Sequence, residues 1–218
     1  MKKLYLVRHA QSCANVDSAH LRAVPNPKVD LTKTGYQQAQ ETGNYLRTVT
    51  DKSVVLWNSP YYRTRQTAKE IYEKIATVER DEVIKRESLY LSERQFGLVD
   101  EVVNYEDVYK NEHNHYDYFQ KNHVGFFVRP PLGESPFDLC LRLDTFLNTE
   151  IETSGYDTHI VVSHGAAIKA ILTMALRWEY EIYDKQVNSA NAAVRLLEKV
   201  GHDWVDRGYV FEPSIITR

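Results

Sequence analysis

Three short apolar runs, each passing into polar residues and then, twice, into a helix-like stretch, constrain this chain more than any other feature. The first is Leu4-Tyr5-Leu6-Val7, followed by Arg8-His9-Ala10-Gln11-Ser12. The second is Val54-Val55-Leu56-Trp57, followed by Asn58-Ser59-Pro60 and a helical stretch from about Tyr61 to Ile75. The third is His159-Ile160-Val161-Val162, followed by Ser163-His164-Gly165 and a helix from about Ala166 to Leu176. Short continuous runs rich in β-branched residues suit strands buried on both faces, which parallel sheets provide. Their alternation with helices gives βαβ units and helices on both faces of the sheet. The expected fold is therefore α/β: a three-layer α/β/α sandwich around a mostly parallel central sheet.

Other segments fill in the frame. Asp30-Leu31-Thr32-Lys33-Thr34-Gly35 leads into a helix from Tyr36 to Leu46, with Thr32 or Thr34 as its N-cap. A further helix is expected from Phe137 to about Glu150, since Leu139, Leu143, Phe146 and Leu147 fall near one face. Ala192 to Val200 reads as a late strand with a partner near Tyr209 to Phe211. Residues 98–128 differ: six acids and two lysines accompany Tyr105, Tyr109, Tyr116, Tyr118, Phe119, Phe126 and Phe127. That stretch reads as a partly helical cap inserted over one edge of the sheet. With no internal repeat and no linker, residues 1–218 read as a single domain carrying the cap.

Charge and cysteine usage exclude several classes. The net charge is −3 and no long basic run stands out, which argues against nucleic-acid binding. Cys13 and Cys140 lie far apart and form no CxxC, against a zinc site or a disulfide framework and in keeping with a reducing compartment. The apolar run Leu4 to Val7 is shorter than the roughly 7–15 residues of a signal peptide core. No stretch approaches the roughly 20 apolar residues of a membrane span. The expectation is a cytoplasmic protein without membrane or nucleic-acid partners, its oligomeric state open.

In open α/β sheets ligands bind at the carboxyl ends of the strands. There the first run delivers Arg8 and His9, the second leads to Arg63 about one turn into its helix, and the third delivers His164 and Gly165. A lone histidine after a strand is more often a structural hydrogen-bonder, and a lone arginine a surface residue. Four such residues on three strand ends instead suggest an anion pocket. Guanidinium donors suit phosphate or carboxylate oxygens, and helix N-termini add backbone N–H groups. Nearby guanidinium groups should disfavour the imidazolium and keep a histidine neutral and nucleophilic. His113-Asn114-His115 and His123 invite a metal or nuclease reading, but no paired cysteine or helical HExxH accompanies them.

Leu6-Val7-Arg8-His9-Ala10-Gln11-Ser12-Cys13-Ala14-Asn15 resembles the opening motif of the histidine phosphatase superfamily, which includes cofactor-dependent phosphoglycerate mutases; Ala10 stands where the motif usually has Gly. Asp30-Leu31-Thr32 with Gly35, Gln38 and Ala39 is similar to a second block of the family. Asn58-Ser59-Pro60 with Arg63, Gln66, Thr67 and Ala68 is similar to a third. Glu93-Arg94-Gln95-Phe96-Gly97 resembles the block carrying the general acid, and Gly133-Glu134-Ser135 and Val162-Ser163-His164-Gly165 complete the set in family order.

The resemblance implies roles. His9 would become phosphohistidine, and Arg8, Arg63 and His164 would hold the phosphoryl oxygens. Glu93 would protonate the leaving oxygen and later deprotonate water. Asn15 and the N–H groups near Gln11, Ser12, Gly165 and Ala166 would add phosphate contacts. No metal and no cofactor is implied, because positive charge comes from arginine. The substrate would be a small phosphorylated metabolite. A mutase must hold a second acidic group, which calls for basic residues in the cap, yet residues 98–128 carry two lysines against six acids. That favours a metal-independent phosphomonoester hydrolase. A 2,3-bisphosphoglycerate-dependent phosphoglycerate mutase is the alternative, and a non-catalytic phosphate-binding module a second.

Overall fold

The computed structural model describes residues 1–51, 53–76, 82–97 and 110–217. Each of the three apolar runs becomes an inner strand, and its successive side chains go to opposite faces, as the period of two in a strand requires. Among the described residues there are six strands: β1 (Lys3–Arg8), β2 (Ser53–Asn58), β3 (Glu82–Glu87), β4 (Thr158–Ser163), β5 (Val194–Val200) and β6 (Asp203–Phe211). They form one sheet in the order β3-β2-β4-β1-β5-β6. The pairs β1/β4, β2/β4 and β2/β3 are parallel, while β1/β5 and β5/β6 are antiparallel.

The helices are α1 (Cys13–Val16), α2 (His20–Ala23), α3 (Lys33–Val49), α4 (Tyr62–Ile75), α5 (Lys110–Asn122), α6 (Pro136–Phe146), α7 (Gly165–Ala175) and α8 (Tyr180–Lys185). On one face Tyr5, Val7, Leu56 and Val162 pack with Leu46 of α3 and Ile71 and Ile75 of α4. On the other, Leu4, Leu6, Trp57 and Val161 pack with Leu143 and Phe146 of α6 and Ile168 and Ile171 of α7. This is the expected three-layer sandwich. Each fully buried aliphatic or aromatic side chain contributes about 1.5–3 kcal/mol from lost apolar exposure.

The boundaries differ where local chemistry outweighs periodicity. The helix expected from Tyr36 begins at Lys33, because Thr32 Oγ1 accepts the Gly35 N–H at 3.0 Å and so caps it there. The helix expected from Phe137 begins at Pro136, capped by a reciprocal Ser135–Asp138 pair, and continues as a wider turn over Leu147–Ile151. Strand β3 was not expected: Glu82-Val83-Ile84-Lys85-Arg86-Glu87 is a largely exposed edge, so burial leaves it no apolar run. Of the expected cap, residues 98–109 with Tyr105 and Tyr109 lie outside the described residues, whereas α5 and the short turn Gly125–Phe127 are helical. Among the described residues no helix is long and apolar enough to cross a membrane.

The chain leaves β1, passes through α3 and returns as β2, two places away with β4 between them. This crossover brings the carboxyl ends of β1, β4 and β2 to one edge, where such sheets open a crevice.

Candidate active site

His9 follows β1 and His164 follows β4, neighbouring parallel strands in register from Lys3↔Thr158 to Arg8↔Ser163. Their rings therefore meet, with centroids 5.3 Å apart and planes at 62°. Both are buried. His9 Nδ1 lies 2.8 Å from the Ala10 carbonyl. A carbonyl only accepts, so Nδ1 carries the proton and the neutral ring keeps its lone pair on Nε2. Burial is the main cause holding His9 well below the ordinary imidazole value of 6.5, with Arg63 and Arg8 adding to it. Desolvation is thus a larger influence on His9 than the neighbouring guanidinium groups expected from the sequence. His164 is held down by burial first and then by Arg63, His9 and Arg8. Its Nε2 lies 2.8 Å from Ser59 Oγ. That hydroxyl also accepts the Tyr61 N–H at 3.4 Å.

The two arginines flank the rings. Arg8, the last residue of β1, is buried and donates through Nη1 to the Ser189 carbonyl at 2.7 Å. Arg63 sits in the first turn of α4, buried, and donates through Nη1 to the Asn26 carbonyl at 2.8 Å and to Asn26 Oδ1 at 2.9 Å. Burial lowers Arg63 to about 10, opposed by Glu93 and Tyr61, so it stays charged at neutral pH. Among the described residues, Arg8 Nε and His164 Nδ1 are both buried polar side-chain atoms without a hydrogen-bond partner. Leaving such groups unpaired costs about 1–3 kcal/mol each, so their coincidence in one place marks a site shaped for something other than stability.

Glu93 stands after β3. Its Oε1 accepts the Arg94 N–H at 2.9 Å, and its charge raises the proton affinity of both Arg8 and Arg63. The Glu93–Gly97 segment is pressed against the turn before α6. Glu134 N–H donates to the Gln95 carbonyl at 2.8 Å, and Arg94 Nε donates to the Glu134 carbonyl at 2.8 Å. Gly97, at φ +60°, allows this approach, since a Cβ there would meet the Pro131 carbonyl oxygen at 2.0 Å.

Of the expected phosphate contacts, Gly165 and Ala166 form the start of α7, whose first amides have no intrahelical partner. Gln11 and Ser12 are placed differently from expectation. The Gln11 N–H donates to Gln38 Oε1 at 2.8 Å and the Ser12 N–H to Asn15 Oδ1 at 3.0 Å, so both amides are engaged within the protein. They hold the loop in shape. Asn15 Oδ1 also accepts the Ser12 hydroxyl at 2.9 Å.

Sequence reasoning missed several residues that build this site. Asn26 orients Arg63 from a short turn that belongs to none of the motif blocks. The Tyr61 ring lies 4.8 Å from the His164 ring and carries the Arg63 guanidinium 5.0 Å from its centroid. Thr67 Oγ1 accepts the Ala10 N–H at 3.0 Å, tying the loop to α4; it was visible only as a member of its block. Asn191, fully buried, donates to the His9 carbonyl at 3.0 Å. Among the described residues no group of three His, Cys, Asp or Glu side chains could hold a metal ion. The ring of His123 stacks on Phe119 at 5.1 Å, and the His113 side chain lies outside what is described.

Several known proteins share this arrangement of chain. The profile of the histidine phosphatase superfamily (branch 1) matches residues 4–209. A phosphoglycerate mutase-like protein of Arabidopsis thaliana, AT74, is 29% identical over 214 residues, covering 90% of this chain and 65% of that protein. The chain thus spans slightly less than two thirds of that relative's length. The alpha-ribazole phosphatase of Shigella flexneri superposes with a TM-score of 0.75 at 19% identity, over 95% of each chain. A phosphoserine phosphatase of Entamoeba histolytica superposes with a TM-score of 0.71 at 23% identity, over 96% of each chain. At those identities the structural likeness speaks for the fold. Since the profile runs from the first strand into the last and encloses both histidines and both arginines, the chain belongs to the histidine phosphatase superfamily.

Proposed function

We propose that the protein is a metal-independent phosphomonoester hydrolase acting through a phosphohistidine on a small phosphorylated metabolite. The observation that carries this reading is the His9 imidazole, neutral, tethered at Nδ1 and set between two buried guanidinium groups beside His164.

His9 Nε2 attacks phosphorus in line with the leaving oxygen. As the N–P bond forms, the P–O bond breaks and its electron pair goes to the leaving oxygen. Glu93, entering as the acid, gives that oxygen its proton. Arg8 Nε and His164 Nδ1, the two unpaired buried groups, receive the phosphoryl oxygens together with Arg63, Asn15 Nδ2 and the amide end of α7 at Gly165 and Ala166. In the second step the Glu93 carboxylate takes a proton from water, the water oxygen attacks phosphorus, and the electron pair of the N–P bond returns to Nε2. Splitting the displacement lets one carboxyl group serve both halves. The phosphoserine in the Entamoeba relative's structure supports a small phosphomonoester as the substrate class.

The test is p-nitrophenyl phosphate hydrolysis in EDTA, with acid quenching that preserves phosphohistidine only briefly and alkaline quenching that retains it. Steady phosphate release, with no labelled protein from His9→Ala, is the expected result. Isomerisation of phosphoglycerate that depends on 2,3-bisphosphoglycerate would assign the mutase instead. Neither turnover nor labelling would leave a binding module.

A further inference from the structure

Behind the His9 loop, three residues from distant parts of the chain share one directional hydrogen-bond network. Thr217 Oγ1 accepts from Gln38 Nε2 at 2.8 Å and donates to Asn191 Oδ1 at 3.1 Å. Gln38 also donates to the Ile215 carbonyl at 2.8 Å, and the Asn191 N–H donates to the Thr217 carbonyl at 2.8 Å. The outer ends of the same two amides hold the loop. Gln38 Oε1 takes the Gln11 N–H at 2.8 Å. Asn191 Nδ2 gives to the His9 carbonyl at 3.0 Å and to Asn15 Oδ1 at 3.3 Å.

We propose that Thr217 is a positioning residue for the nucleophile: its single hydroxyl, accepting from Gln38 and donating to Asn191, ties together the two amides whose outer ends grip the His9–Asn15 loop, while the Gln11 N–H and the Ile215 and His9 carbonyls fix which way those amides face. An amide has chemically different ends. Turned over, Gln38 would present N–H to N–H at Gln11, and Asn191 would present oxygen to oxygen at His9. Both side chains are buried, Asn191 completely, so water offers no ready substitute for a mismatched end. The same setting leaves Asn15 with its oxygen occupied and its Nδ2 for a phosphoryl oxygen. Segment Ile215–Thr217 thereby acts as a strap on the back of the site, applied without touching substrate.

The inference deepens the proposed hydrolase reading, yet it has a binding readout that does not depend on turnover. Thr217→Val removes the hydroxyl at nearly constant volume, and Thr217→Ser keeps it. A displacement of about 1 Å costs on the order of 100-fold in rate, so a loop that is loosened rather than displaced should lose about 10-fold in kcat. The expected pattern for Thr217→Val is that loss, vanadate binding weakened about equally by calorimetry, KM changed less, and Tm lower by about 2–6 °C, because the buried Asn191 Oδ1 loses its hydrogen-bond donor. Thr217→Ser should restore both rate and binding.

Wild-type rate and binding in Thr217→Val, no rescue by Thr217→Ser, or a loss that merely follows a larger fall in Tm would overturn the strap. A wild-type chain that binds vanadate but hydrolyses nothing would refute the hydrolase while the binding series still decides the strap. A wild-type chain that does neither would overturn both.

Discussion

The buried histidine of the core, His159, makes the stability of this fold depend on pH in a way that can be worked out. It sits in β4 with no solvent exposure. Trp57 Nε1–H donates to its Nδ1 at 3.2 Å, and its Nε2 lies 3.1 Å from the Tyr156 carbonyl. Indole can only donate and a carbonyl can only accept, so the ring is neutral with its proton on Nε2. Adding a proton to Nδ1 would set N–H against N–H. Burial, the largest cause, with Lys2 also contributing, lowers this histidine from 6.5 to about 4. Between those two values the unfolded chain binds a proton that the folded chain refuses. Stability therefore falls as pH drops through that window and levels off below it.

Each pH unit well inside the window costs about 1.4 kcal/mol, which amounts to about 2 kcal/mol by pH 5 and about 3 kcal/mol by pH 4. His9 and His164 add losses of the same sign, so the single group is isolated by difference. His159→Gln keeps an acceptor for Trp57 and a donor for Tyr156 but cannot take up a proton. Urea unfolding of both proteins at pH 7, 6 and 5 should show the variant losing about 2 kcal/mol less than wild type across that range, on top of a pH-independent packing cost. Parallel curves would refute the reasoning, because they would mean that the folded ring protonates as readily as the unfolded one.

The two histidines of the candidate site should behave alike for a related reason. In NMR titrations the His9 and His164 rings should remain neutral from pH 7 through 6.5 and below, and titration of either near 6.5 would contradict their burial beside Arg63 and Arg8. Glu93→Gln should slow turnover by on the order of 10²–10⁴ for alkyl phosphates and less for p-nitrophenyl phosphate, whose leaving group needs little protonation; equal losses for both would remove Glu93 from the acid role. Asn26→Ala takes one of two acceptors from Arg63, which keeps the Asn26 carbonyl. Vanadate should then bind on the order of 5-fold more weakly, as for one hydrogen bond worth about 1 kcal/mol; unchanged binding would show that the carbonyl alone orients Arg63.

Much of this was legible along the chain because burial on both faces of a sheet leaves a local trace. Leu4 to Val7, Val54 to Trp57 and Ile160 to Val162 announce inner strands, and the residues next after them are the ones a parallel sheet must gather at its open edge. Strand β3 left no such trace, since an exposed edge is held by backbone bonds that any sequence can make. Motif blocks named Gln38 and Thr67 without saying what they do. Asn26, Asn191 and Thr217 carried no signal at all.

The amino-acid order by itself settled the layers, the inner strands and the meeting of His9, His164, Arg8 and Arg63, because apolar spacing and strand direction are local properties. Only the folded chain decided how those four groups are oriented and which atoms stay open. The bonds responsible join Arg63 to Asn26, the His9 carbonyl to Asn191 and Gln38 to Thr217, at separations of 37, 182 and 179 residues. A directional bond between groups so far apart in sequence depends on three-dimensional placement alone, and it imposes no periodicity on the sequence at either end.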